Sequence, residues 1–193
     1  QDIINLNQKN EVEARNTKVD KKAKTNKGFK YVKDGATDIK VSKSSEGVNA
    51  DADNNQTTFR YKVVVSSEYG SDGDIILNDV LANTLDPKLG TEAKRTVQNV
   101  SCKLKDNTTG QYTDVSSEGY VTPADGTIDN GDKVVSGTLP KLNANSQYEI
   151  TYDVILSNIA DNIGSLQINN RNSVDIKDES HHEHQDIDSG TWY

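Results

Sequence analysis

The feature that most constrains this chain is a repeated rhythm. From residue 37 onward, short runs of alternating apolar and polar residues recur with turn formers between them. The runs are "DIKVSK", "TTFRYKVVVSS", "GDIILNDVLA", "RTVQNVSCKLKD", "QYTDVSS", "KVVSGTLPKL", "SQYEITYDVILS" and "GSLQINNRNSVDI". Between several of them lie "EYGSDG", "DNTTG" and "ADGTIDNGD", built from Gly, Asn, Asp and Ser. Alternation with period two is the mark of a strand with one face in a core, and those small polar residues tolerate the turns that join strands. Strands at this spacing predict an all-β Greek-key sandwich over residues 37–177. The helical reading of "TYDVILSNIADNIG" is poor by comparison.

Composition fits a thin core. Apolar residues are 32% of the chain and aromatics 6%, enough for strands that turn every second residue inward. No run approaches the ~18 apolar residues of a membrane span. Cys102 is the only cysteine, which excludes an internal disulfide; in "VQNVSCKL" it shares its phase with Val100 and Leu104 and reads as a small core residue. The absence of Met fits a mature secreted chain freed of a signal peptide. An extracellular protein without disulfides needs another source of toughness. Sequons at Asn55, Asn99 and Asn107 are candidate glycosylation sites.

Residues 1–36 differ from the rest. They are polar and Lys-rich, with "DIINL" and "GFKYV" as strand candidates and "NEVEARNTKVDKKAK" as a fragile helix or an extended arm. Such a segment has too little apolar surface to fold alone, so it is expected to dock. Residues 1–43 carry eleven Lys or Arg against six acids, while the remainder carries a net charge of −13. Residues 178–193 read as an acidic tail ending in "GTWY". A basic front and an acidic back suit head-to-tail association of identical chains, and two solvated tails of opposite charge are the alternative. The candidate contact residues are Ile3, Ile4, Leu6, Phe29 and Tyr31 at the front and Trp192 and Tyr193 at the back, aromatics being favoured interface anchors. Nucleic acid is not an expected partner, because the bulk of the chain would repel phosphates.

Metal signals are weak. Asp51, Asp53 and Asn55 alternate in "DADNN", and Asp125, Asp129 and Asp132 cluster in "DGTIDNGD", but neither completes a calcium loop with its terminal bidentate Glu. His182 and His184 share a strand face in "HHEHQD" without the helical zinc signature. No cofactor is expected beyond a weak calcium candidate. Phosphate-loop and nucleophile-elbow motifs are lacking, so an enzyme is not expected.

One residue breaks the strand rule. In "TDIKVSKSSEG", Lys43 follows Ile39 and Val41 on the inward phase. It either snorkels to water from a strand end or is aimed at the core. The order "DIKVSKSS", "TFRYKVVVSS", "IILNDVL", "SGTLPKLNANSQYEITYDVIL" and "NSVDI" resembles the prokaryotic surface-repeat domain called domain of unknown function eleven. That family is related to the immunoglobulin-like domains of collagen adhesins and pilins. The resemblance covers about residues 37–177, and the insertion "SSEYGSDG" departs from the family's tighter turn. It implies an immunoglobulin-like sandwich with an N-terminal arm. It also implies an isopeptide bond, with Lys43 as the amine, Asp79 as the neighbouring acid and an Asn of the last strand as the amide. Asn172 is preferred because "NSVDI" follows it with alternating apolar residues; Asn170, on the same phase, stays open, as does Asp79 as a simple turn cap. The implied function is that of a structural subunit of an extracellular fibre or pilus, assembling with copies of itself through its N-terminal extension. The alternative is a surface adhesin module that binds a host ligand, matrix component or glycan through its loops.

Overall fold

The computed structural model describes residues 3–15, 20–32, 39–161, 163 and 166–192; between 3 and 32, and at Trp192, it is described at the level of strand pairing. The chain forms two compact units, Gln1–Thr37 and Asp38–Tyr193.

The first unit is an antiparallel hairpin of β1 (Ile3–Arg15) and β2 (Asp20–Val32). The helical alternative for residues 10–24 is therefore corrected: its described residues, 10–15 and 20–24, belong to two strands. Its Val, Thr and Asn residues favour extended backbone or turns, and no caps flank a helical stripe. Ile4 pairs with Tyr31 and Leu6 with Phe29, while Ile3 pairs with Val32.

The second unit is a β-sandwich. One sheet runs β3 (Ile39–Asp51), β4 (Gln56–Ser67), β10 (Ser146–Ser157), β6 (Lys94–Asp106) and β7 (Tyr112–Asp114). The other runs β12 (His182–Trp192), β11 (Gln167–Lys177), β5 (Ile75–Leu81), β9 (Lys133–Leu139) and β8 (Val121–Pro123). Every pairing is antiparallel. From β4 to β5, β5 to β6, β7 to β8, β9 to β10 and β10 to β11 the chain changes sheet, the interleaving expected of Greek-key connections. The expected all-β sandwich is what the chain forms.

The core lies where the two inner faces meet. Phe59, Tyr61, Val63 and Val65 of β4, Tyr148, Ile150, Tyr152 and Val154 of β10, Ile75, Leu77 and Leu81 of β5, and Val174 and Ile176 of β11 are buried. Cys102 is buried with them, and burial pushes its thiol up to about 11.

Three bulges adjust the inward phase. In β3 an extra residue sits between Ser45 and Gly47. In β6 the register shifts opposite Thr151 and Asp153, with Asn99 in the left-handed region at φ 56°. In β9 the shift lies opposite Asp79 and Val80, and both Val134 and Val135 are buried there.

Two expectations need correction. Lys43 does not end its strand, which continues past the bulge to Asp51. The acidic stretch 178–193 is no tail: residues 182–192 are β12, fully paired with β11. Its odd-numbered residues, including Ile187 and Ser189, turn toward the interior, and its acids at 186 and 188 are exposed. Polar residues on both phases hide this alternation in the sequence.

Candidate functional site

Period two carries a set of polar side chains into the middle of the sandwich. β5 reads Ile75, Leu77, Asp79, Leu81 along its buried phase, and β11 reads Ile168, Asn170, Asn172, Val174, Ile176. Asp79 pairs with Val174 and Leu81 with Asn172, so Asp79 and Asn172 are diagonal neighbours on one inner face. On the facing sheet, Tyr61 and Tyr152 pair directly and stack with ring centres 5.7 Å apart. Ser45 pairs with Tyr61, which places Lys43 diagonally across from that tyrosine.

These side chains converge. Lys43 Nζ donates to Asp79 Oδ2 at 2.5 Å, and the Tyr152 hydroxyl donates to the same oxygen. Lys43 Nζ lies 4.9 Å from the centre of the Tyr61 ring and 5.6 Å from that of Tyr152. The Lys43 and Asp79 side chains are inaccessible to solvent, so Lys43 does not snorkel and Asp79 does not cap a turn. Asn170 and Asn172 retain 1% and 0% of their exposure. The Tyr152 phenol also sits beside the Asn172 amide, yet Asn172 Nδ2 and Asp79 Oδ1 are buried without a well-formed hydrogen bond.

Burial sets the electrostatics. It lowers the Lys43 ammonium to about 8, against the pull of Asp79 in the other direction. It raises the Asp79 carboxyl, with Lys43 and Tyr152 opposing. Desolvation disfavours both charged forms and so shifts the pair toward amine and carboxylic acid. The phenols are pushed up too, Tyr61 to about 12 and Tyr152 well above its ordinary value, mainly by burial. An amine and a carboxamide that flank one acid able to accept and return a proton form a set of groups capable of amide exchange.

Asn170 has a different setting. Its Oδ1 accepts from Arg95 Nη1 at 3.3 Å, and its Nδ2 donates to the Tyr61 hydroxyl at 2.7 Å and to Asn172 Oδ1 at 3.0 Å. Arg95 is itself 1% exposed. It donates to Asn83 Oδ1 at 2.9 Å and to the Asn83 carbonyl at 2.7 Å.

Sequence reasoning missed Tyr61, Tyr152, Arg95 and Asn83. The tyrosines were visible as residues on the buried phase between Phe59 and Val63 and between Ile150 and Val154. Arg95 was not, because reading β6 as unbroken puts it out of phase with Cys102.

The remaining candidates lie apart from this cluster. Asp51 caps a short 3-10 turn, accepting from Asn54 N at 3.2 Å and Asn54 Nδ2 at 2.8 Å; Asp53 lies within that turn, and Asn55, at φ 52°, ends it. Asn55 Nδ2 donates to Asp161 at 2.5 Å. Asp132 accepts from Asp129 N at 2.8 Å. His182 Nε2 and His184 Nδ1 both contact Asp175 Oδ1, at 2.9 and 3.0 Å, on the outer face of β11 and β12. Among the described residues no three His, Cys, Asp or Glu side chains converge as metal ligands. Asn99 sits at the β6 bulge and donates to Asp153, and Asn107 is exposed and donates to Gln147. Ile3, Ile4, Leu6, Phe29 and Tyr31 hold positions in the hairpin, and Trp192 closes β12 opposite Gln167; Tyr193 lies outside the described residues. No helix among the described residues is long and apolar enough to cross a membrane.

No protein-family model and no curated protein sequence matches the chain. Among solved structures it is similar to the collagen-binding subdomain of the Enterococcus faecalis surface protein ACE, at 11% identity and a TM-score of 0.45, covering 78% of this chain and 94% of that one. It is also similar to the collagen-binding domain of a Staphylococcus aureus adhesin, at 14% identity and a TM-score of 0.40, covering 78% and 95%. The CooA pilin subunit of enterotoxigenic Escherichia coli aligns at 15% identity and a TM-score of 0.24, covering 79% and 95%.

Proposed function

We propose that this chain is a mechanical unit of an extracellular prokaryotic surface fibre, and that its sandwich closes an internal amide bond between Lys43 and Asn172 with Asp79 as proton carrier. The observation that carries this reading is the fully buried Lys43–Asp79 contact beside Asn172. A soluble domain has no stability reason to bury such a pair, since desolvation offsets most of the attraction. Chemistry gives one.

The neutral Lys43 amine attacks Cγ of Asn172. Asp79 takes one proton from the attacking nitrogen and delivers one to Nδ2, which leaves as ammonia. The Lys43 nitrogen ends as a secondary amide and Asp79 ends as it began. Asn172 is favoured over Asn170 as the electrophile, because both polar ends of Asn170 are held by Arg95, Tyr61 and Asn172 itself, while Nδ2 of Asn172 makes no well-formed hydrogen bond.

The bond would join the first strand of one sheet to the penultimate strand of the other and enclose residues 44–171. A closure of that length restricts the unfolded chain as a disulfide would, without an oxidising compartment. The hairpin of residues 3–32 supports self-association. A two-stranded sheet is marginal alone, and each of its strands keeps an edge that a neighbouring copy can pair.

The test is the intact mass of the purified chain in strong denaturant. A monomer lighter by one ammonia, with the modified peptides mapping to Lys43 and Asn172, is the expected result; an unmodified mass sinks the bond. Assembly is tested separately. The intact chain should form concentration-dependent polymers and the chain without residues 1–36 should stay monomeric. If both stay monomeric, the fibre reading fails and a solitary adhesin module is the better description.

A further inference from the structure

Arg95 is a buried cation that the proposed bond does not use. Its guanidinium forms no ion pair among the described residues, and its Nε has no partner. Two of its nitrogens are spent on Asn83, and one of these also reaches Asn170. Asn83 is in turn fixed from outside, accepting from Arg171 N at 2.9 Å and donating to the Asn169 carbonyl at 2.9 Å. Burial lowers the Arg95 pKa to about 10, which leaves it charged at neutral pH. A buried charge without an ion pair is costly.

The hydrogen-bond directions leave no freedom. Arg is a donor only, so Asn170 must turn Oδ1 toward Arg95. Its Nδ2 then points at Tyr61 and at Asn172, and Asn172 must answer with Oδ1. Attack of an amine on the Asn172 carboxamide drives electrons onto that same Oδ1.

Building on the Lys43–Asn172 reading, we infer that Asn170 is a catalytic residue of the cross-linking reaction, its Nδ2 forming the oxyanion donor for Asn172, and that Arg95 is a positioning residue that orients and polarises Asn170. At 3.0 Å from the ground-state Asn172 Oδ1, Asn170 Nδ2 is within reach of the oxyanion that would develop from that oxygen, and a low-dielectric interior strengthens the contact. The donor forms no bond and gives up no proton. It stabilises the tetrahedral intermediate until ammonia departs and the carbonyl re-forms. Two asparagines at alternate positions of one strand thus divide the labour, one reacting and one holding the charge. Arg95 supplies a positive end to the relay without competing as a nucleophile.

The experiment is cell-free synthesis of the full chain, quenched at intervals in strong denaturant, with ammonia loss followed by intact mass. Asn170→Ala should slow the loss by roughly a hundredfold. Asn170→Asp, which keeps the volume and sets a carboxyl beside the developing charge, should slow it further. Protease resistance of each variant in a Lys43→Ala background reports folding separately. If Asn170→Ala does not fold, the isosteric Asn170→Asp decides. Arg95→Met should slow the reaction and Arg95→Lys should recover part of the rate, a rescue by charge that a packing role would not give. Wild-type kinetics in folded Asn170 variants would overturn the inference while leaving the bond intact, as would a bond mapped to Asn170. No ammonia loss from the wild-type chain would remove the bond itself, and with it this assignment.

Discussion

The sandwich interior holds two cations in two neighbourhoods, and it treats them differently. Lys43 faces a carboxylate and two tyrosine rings, and burial drives it toward the neutral amine. Arg95 donates to amides, feels Asp129 only at longer range, and stays charged. An ammonium can surrender its proton in a dry site, whereas a guanidinium holds it. The first region is therefore suited to supply electrons and the second to receive them across the asparagine pair. The contrast teaches that a buried charge is read by whether its surroundings offer it a way to become neutral.

The comparison breaks most visibly at Asp79. Asp79→Ala should abolish ammonia loss and leave Lys43 buried without its acid, costing about 3–5 kcal/mol on top of the lost closure; chemical denaturation and intact mass read both effects. Lys43→Ala removes amine and bond together and leaves Asp79 to take up a proton, the form that burial already favours. Its expected loss is that of the closure alone, about 4–5 kcal/mol for a loop of this length, measured by denaturant titration against the wild type. Arg95→Met should produce a chain that still reaches the lighter mass at long times but is less stable by about 1–3 kcal/mol, because the acceptors on Asn83 and Asn170 lose their donor.

Proton control sharpens the contrast further. The amine reacts only when unprotonated, and its folded pKa lies near 8. The cross-linking rate should climb about tenfold per pH unit below that value and level off above it; a rate independent of pH would detach Lys43 from the rate-determining step. The smallest expected effect lies on the outer face of β12. Asp175 and Asp186 raise the His184 pKa by hydrogen bonding and charge. A raised folded pKa stabilises below the unfolded value of 6.5 and loses that contribution as pH rises through the folded value. Protection factors of the β12 amides, which divide out the intrinsic pH dependence of exchange, should therefore be slightly higher at about pH 5.5 than at about pH 8, and His184→Gln should erase the difference.

Much of this interior was legible from alternation alone. Ile39, Val41 and Lys43 share a phase, as do Leu77, Asp79 and Leu81, and Asn170, Asn172 and Val174, and nothing interrupts those segments. Arg95 was hidden by a bulge. The left-handed Asn99 inserts a residue into β6, so Val97 and Cys102 both face inward although five positions separate them. A strict period of two would send Arg95 into solvent. β12 was hidden for another reason. Its partner strand and the β3 edge nearby supply the burial, as in the Ser189–Ser45 hydrogen bond at 2.6 Å, so small polar residues suffice on its inner phase. The hairpin of residues 3–32 was only half visible, because Lys-rich strands without a hydrophobic stripe resemble weak helices. The convergence of three strands on one atom, Asp79 Oδ2, is a property of the folded sheets that spacing does not encode.

The order of β11 and β12 along the chain has a mechanical corollary. β12 follows Asn172, so a Lys43–Asn172 bond would leave it outside the covalent loop. A pull at the C-terminal end meets β12 first, and in its antiparallel pairing with β11 the hydrogen bonds give way one after another from Trp192 toward His182. Residues 178–193 could then pay out up to roughly 50 Å of chain at about 3.3 Å per residue before the tension reached β11, which β5 still holds, and the tether behind it. The unit would behave as a shock absorber with a hard stop: a short, reversible, low-force extension followed by an abrupt refusal to lengthen.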